Sequence, residues 1–185
     1  KPTMKNFKAL ALTALTVAAT VAAPAANANL FKFAGLNQFT ADNFTHPTVK
    51  HIVTEMNRAG VPVLDGLSNG FKQCEPDGSG MVVMGFYSPS YNMMVLCTNN
   101  GDSTTMVETL IHEATHMVQD CRTGLDNDGV KASYLAPAYA HMIGEQETNL
   151  VKNHYPADQH NHEFEARYNE TQPQKVVEGL AKFCF

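Results

Sequence analysis

His112 and His116 stand four residues apart, with a glutamate directly after the first, in the run His112-Glu113-Ala114-Thr115-His116. On an α-helix, four residues rise roughly 6 Å and return nearly to the same face. Two imidazoles so placed can converge on one metal ion. The carboxylate of Glu113 can then hold a water beside that ion and take its proton. Zinc in catalytic use takes three protein ligands and leaves one position open, so the pattern asks for a third ligand elsewhere in the chain. The candidates are Glu145, Glu147, His154, His160, His162, Glu163 and Glu165. Such a centre suits amide hydrolysis. Zinc lowers the pKa of bound water toward ~7, and Glu113 accepts the proton and returns it to the leaving amine. Tyr155, His160, His162 and Tyr168 are candidate donors to the oxyanion.

A helix must carry the two histidines, and the residues around them supply one. Thr105-Met106-Val107-Glu108 reads as a capping box, which predicts a helix over 106–122. Met106, Leu110, Ala114, Met117 and Cys121 form its apolar stripe, widened by Val107, Ile111 and Val118. His112, His116 and Gln119 lie off the centre of that stripe, so they are expected to face a cleft. Glu108 and Gln119 flank the histidines by one turn and are placed to be their outer partners.

Upstream, residues 29–45 read as an irregular arm. Pro47 and the spacing of Val49, Ile52, Val53 and Met56 predict a helix over 46–59, closed by Gly60. Val61–Leu64 reads as a short strand that Pro62 confines to an edge. Met81–Tyr87 and Tyr91–Cys97 read as an antiparallel pair. Downstream, Asp126–Gly129 is a turn without the EF-hand spacing. Residues 131–154 read as one or two helices bent at Pro137, 155–161 as a loop and 163–170 as a short helix. A last helix starts at Pro173 and carries Val176, Val177, Leu180 and Phe183. The expected fold class is α+β: a short, mostly antiparallel sheet packed on the helix of the two histidines, then a mainly helical C-terminal half.

The chain has 185 residues, 44% hydrophobic and 17% charged, a globular composition that predicts one domain over 29–185. A formal charge of −5 gives no reason to expect nucleic acid. Lys5 and Lys8, an apolar stretch from Ala9 to Ala23 and Ala26-Asn27-Ala28 have the layout of a secretory signal peptide over 1–28. Cleavage there removes three lysines and no acidic residue, so the charge of −5 becomes −8. No second apolar run of spanning length follows, so no stable membrane insertion is expected, and the destination is secreted or periplasmic. Cys74, Cys97, Cys121 and Cys184 are an even count in an exported chain, which predicts two disulfides. The favoured pairing is Cys74–Cys97 with Cys121–Cys184.

The His112–His116 run, taken with Glu163-Phe164-Glu165-Ala166 downstream, resembles the glutamate-zincin (gluzincin-type) metallopeptidases. Several families of that clan carry E-x-x-A on a helix after H-E-x-x-H. The resemblance implies a zincin-like fold, bound Zn2+, a protein or peptide substrate, and Glu163 as third ligand. Glu165 lies about 200° round a helix from Glu163, so both cannot point at one metal. Glu165, or a histidine within 154–162, is the alternative. The metzincin pattern is absent, and Arg167 stands where an aspartate often follows E-x-x-A. In the wider zincin group an edge strand pairs with extended substrate, a role the resemblance gives to Tyr91–Cys97. The rival functions are an exported non-peptidase zinc-binding protein and a cell-wall or other amide hydrolase with the same zinc site.

Overall fold

The computed structural model of the chain describes residues 33–76, 82–124 and 136–185. The predicted signal peptide and the Asp126–Gly129 turn lie outside them. The described elements run β1 (Gln38–Phe39), α1 (Pro47–Arg58), β2 (Val63–Asp65), β3 (Gly85–Ser88), β4 (Met93–Leu96), α2 (Ser103–Cys121), α3 (Ala136–Met142), α4 (Glu145–His154), α5 (His160–Asn169) and α6 (Pro173–Phe183), with short 3-10 turns between some of them. The fold class is α+β. A four-stranded, mostly antiparallel sheet packs on α2, and the C-terminal half is helical.

The sheet order is β1-β2-β4-β3. β1 and β2 pair antiparallel, β2 and β4 parallel, and β4 and β3 antiparallel, with Tyr87 opposite Met94. Two strand expectations fail here. β2 is interior, not an edge, because Pro62 sits just outside the strand and the ladder never needs its missing N–H. Its carbonyl even accepts from the Met94 N–H at 2.9 Å. β4 is interior too, so the strand in Tyr91–Cys97 is no edge. That place belongs to β3. The first strand, β1, arises from the arm read as irregular, where Phe39 packs against Phe44.

α1 buries Val49, Ile52, Val53 and Met56, and Gly60 closes it at φ +79°. The helix of the histidines begins earlier than expected. Asp102 is its N-cap and accepts from the Thr105 N–H at 2.9 Å, which leaves Thr105 in the first turn instead of capping. Downstream, Gly144 at φ +84° parts α3 from α4, so the break falls there and Pro137 lies in the first turn of α3.

The main core joins α1, α2 and α6 to the sheet through Ile52, Met56, Leu110, Met117, Val176 and Leu180. A smaller cluster of Tyr139, Val151, Tyr155 and Phe164 holds the helical half together. Cys74 pairs with Cys97, and Cys121 with Cys184, as favoured from the sequence. Both bonds indicate folding in an oxidising, extracellular-type compartment. Among the described residues no helix is long and apolar enough to cross a membrane.

One close approach brings α2 onto β3. A Cβ on Gly85 would lie 2.7 Å from Thr109 Cγ2 and 2.7 Å from the Val95 carbonyl oxygen. The second neighbour is backbone and cannot swing away. Gly85→Ala is therefore expected to destabilise the fold by ~1–3 kcal/mol, the usual cost of overpacking. An unchanged urea midpoint would refute this.

Candidate metal centre

α2 presents His112, Glu113 and His116, and α5 presents Glu163. The helices run past each other in opposite directions, so that Gln119 meets His162 and Glu165 while His112 meets Glu170. Between these pairs three ligand atoms converge. His112 Nε2 and His116 Nε2 are 3.2 Å apart. Glu163 Oε2 is 3.3 Å from the first and Oε1 3.4 Å from the second. The three residues form a buried group that could hold a metal ion, with ligand atoms all within 4.8 Å of one another.

Burial departs from expectation. His112 is 0%, Glu113 1%, His116 6% and Glu163 2% exposed. The histidines do not face an open cleft. α5 covers the polar side of α2, and the sheet, α1 and α6 cover the apolar side.

The other expected residues lie as follows. Glu165 turns away from the histidines and accepts from Gln119 Nε2 at 2.9 Å. His154 and Glu145 are exposed, and Glu147 is half-buried. His160 Nε2 lies 2.9 Å from the Tyr155 carbonyl, and Tyr155 packs in the helical cluster. Tyr168 stacks on Tyr139 and takes the Lys175 ammonium on its ring. Glu108 is exposed on the first turns of α2.

Two partners were not singled out by the sequence. Glu170 Oε1 lies 2.8 Å from His112 Nδ1 and 3.1 Å from Arg167 Nη1. Glu170 therefore braces the His112 ring at the nitrogen that faces away from His116 and Glu163. Glu170 follows Glu163 by seven residues, two helical turns, so a face-by-face reading of α5 would have flagged it. Tyr87 is the second. Its backbone N–H donates to Glu113 Oε2 at 2.8 Å and its phenol to Asp120 Oδ2 at 2.7 Å, which clamps β3 to α2. That use of the Tyr87 N–H takes up part of the outer edge of β3.

The partners decide which nitrogens carry protons. Glu170 is a carboxylate paired with an arginine, so it can only accept, and His112 Nδ1 must donate. Gln119 Nε2 faces two acceptors, the His162 carbonyl at 3.1 Å and Glu165. Its oxygen therefore faces His116, and His116 Nδ1, 2.8 Å away, must donate as well. In the neutral rings both Nε2 atoms are then bare lone pairs 3.2 Å apart, beside a carboxylate. Glu113 Oε1 and Glu163 Oε2 are buried without a hydrogen-bond partner. A set of three acceptors with no donor among them fits a cation.

The titrations of the metal-free chain express the same demand. Burial works to lower the His112 pKa, but Glu163, Glu170 and Glu113 outweigh it and push it up to about 10. His116 is raised too, burial being overcome chiefly by the Glu163 charge. Burial would raise Glu163, yet His116 and His112 hold it far below the usual carboxylate range. Glu113 is raised by burial, against the pull of both histidines. A raised carboxylate is a better proton acceptor.

No curated protein and no solved structure matches the chain. Residues 44–185 match the family described as Domain of unknown function (DUF8637). That stretch holds every residue of the centre, and the chain belongs to this family.

Proposed function

We propose that His112, His116 and Glu163 hold Zn2+ and that the chain is an exported zinc-dependent peptidase of gluzincin type. The observation that carries this is the convergence of two imidazole lone pairs and one carboxylate, each imidazole fixed by an acceptor at its other nitrogen. When bound there, zinc supplies Lewis acidity toward water and a carbonyl. Glu113 is the general base. Its Oε2 is held by the Tyr87 N–H, and its unpartnered Oε1 is left to take a proton and return it to the leaving amine. A protein or peptide is the substrate.

One observation favours a second reading. None of His112, Glu113, His116 and Glu163 is more than 6% exposed, which suits a structural or storage zinc site in a non-peptidase. A structural site, however, has no use for a buried carboxylate with one unpartnered oxygen beside the metal. The test is zinc content and casein hydrolysis for the parent and Glu113→Gln. The expected result is one zinc per chain in both proteins and hydrolysis by the parent alone. Hydrolysis by the variant would remove Glu113 as base. Zinc without hydrolysis in either would favour the non-peptidase reading, and a parent that takes up no zinc would end the proposal.

A further inference from the structure

The two histidines are held differently. His112 is backed by a carboxylate and His116 by an amide. We infer that Glu165 is a positioning residue that acts on His116 through Gln119, fixing the amide so that His116 Nε2 stays bare. The inference rests on the zinc reading above and adds what keeps one of its ligands competent.

A carboxylate behind a histidine has no wrong orientation, since either oxygen accepts. An amide has one. Turned by 180°, Gln119 would offer its NH2 group to His116 Nδ1. That nitrogen would then have to accept, its proton would move to Nε2, and the ligand atom would be blocked. Something must choose between the two orientations. The His162 carbonyl favours the right one, at 3.1 Å. Glu165 adds a charged acceptor at the shorter distance of 2.9 Å, and such bonds are about twice as strong as neutral ones. Gln119 is 1% and Glu165 6% exposed, so water competes little for either. Gln119 and Glu165 line a cavity of about 200 Å³ walled by Thr115 and Val118 of α2, Asn169 of α5 and Val176 of α6.

The position of Glu165 follows from the same account. It stands two residues after Glu163, too far round α5 to reach the metal, yet it is buried against α2. A buried carboxylate away from the metal needs donors, and Gln119 is one of them.

The test measures zinc affinity by competition with a chromophoric chelator, with the visible spectrum of the cobalt-substituted protein as a signature of ligand geometry. Far-UV circular dichroism checks folding. Glu165→Leu is expected to bind zinc ~10–100-fold more weakly, the range for loss of an outer partner, and to alter the cobalt spectrum. Glu165→Gln, which keeps an acceptor oxygen, is expected to restore most of the affinity. Gln119→Met removes the amide and is expected to match the leucine variant, which keeps the test open if that variant does not fold. Parental affinity in Glu165→Leu or Gln119→Met would overturn the inference and leave the zinc reading standing. A glutamine variant as weak as the leucine one would also overturn it. A parent that binds no zinc would overturn both readings.

Discussion

Zinc affinity of a Glu163→Ala protein is expected to fall by at least ~100-fold. Loss of an outer partner costs ~10–100-fold, and Glu163 is the proposed third ligand itself, 3.3 and 3.4 Å from the two imidazole nitrogens. Its removal also takes away the anion that balances the site and leaves two lone pairs facing each other at 3.2 Å. The readout is calorimetry, or thermal unfolding with added metal. At a thousandfold excess of free zinc over Kd the parent gains ~4 kcal/mol. The variant gains little at the same concentration. Glu163→Gln keeps an oxygen and loses the charge, so it falls between. A variant with parental affinity would place the third ligand elsewhere, with Glu165 the next to replace.

The second large effect is a stability profile that zinc reshapes. In the metal-free chain His112 titrates at about 10 instead of 6.5. A raised histidine stabilises the fold fully below its unfolded value and loses that contribution as pH climbs to the folded value. The loss therefore falls between pH 6.5 and about 10, with His116 displaced the same way. Glu163 is displaced downward from 4.5, so its contribution is fully present above that value and is lost progressively as pH falls below it. Metal-free protein is thus expected to be most stable between roughly pH 4.5 and 6.5 and to weaken by a few kcal/mol toward pH 10. With zinc bound, the metal replaces the protons, the alkaline loss disappears, and uptake near neutrality releases protons. Urea midpoints across pH, with and without zinc, measure this. A metal-free profile flat from pH 6.5 to 10 would refute it.

What the sequence shows of this molecule is what local spacing encodes. The four-residue step of His112 and His116, the apolar period of α1 and α6, and the Pro47 and Pro173 starts are all properties of single helices. The helix of Glu163 was legible for the same reason. The burial of the histidines was not. Periodicity marks which face of α2 is less apolar, but another helix, α5, covers that face, and one helix's pattern does not say what packs on its polar side. Pro62 misled because its position relative to the strand boundary, one residue outside β2, decides whether its missing N–H matters. Glu108 and Gln119 are both polar and lie within one helical turn of a histidine, four residues from His112 and three from His116. Only the crossing of α5 at the C-terminal end of α2 makes Gln119 a partner and leaves Glu108 in solvent.

The Cys121–Cys184 bond spans 63 residues and encloses all of α3, α4, α5 and α6 within one covalent ring. A single proteolytic nick anywhere between those cysteines cannot detach Glu163 from the helix bearing His112 and His116. Such nicked material would run as one species in electrophoresis without reductant and separate into fragments with it. A purified preparation would then show cleavage only after a thiol is added.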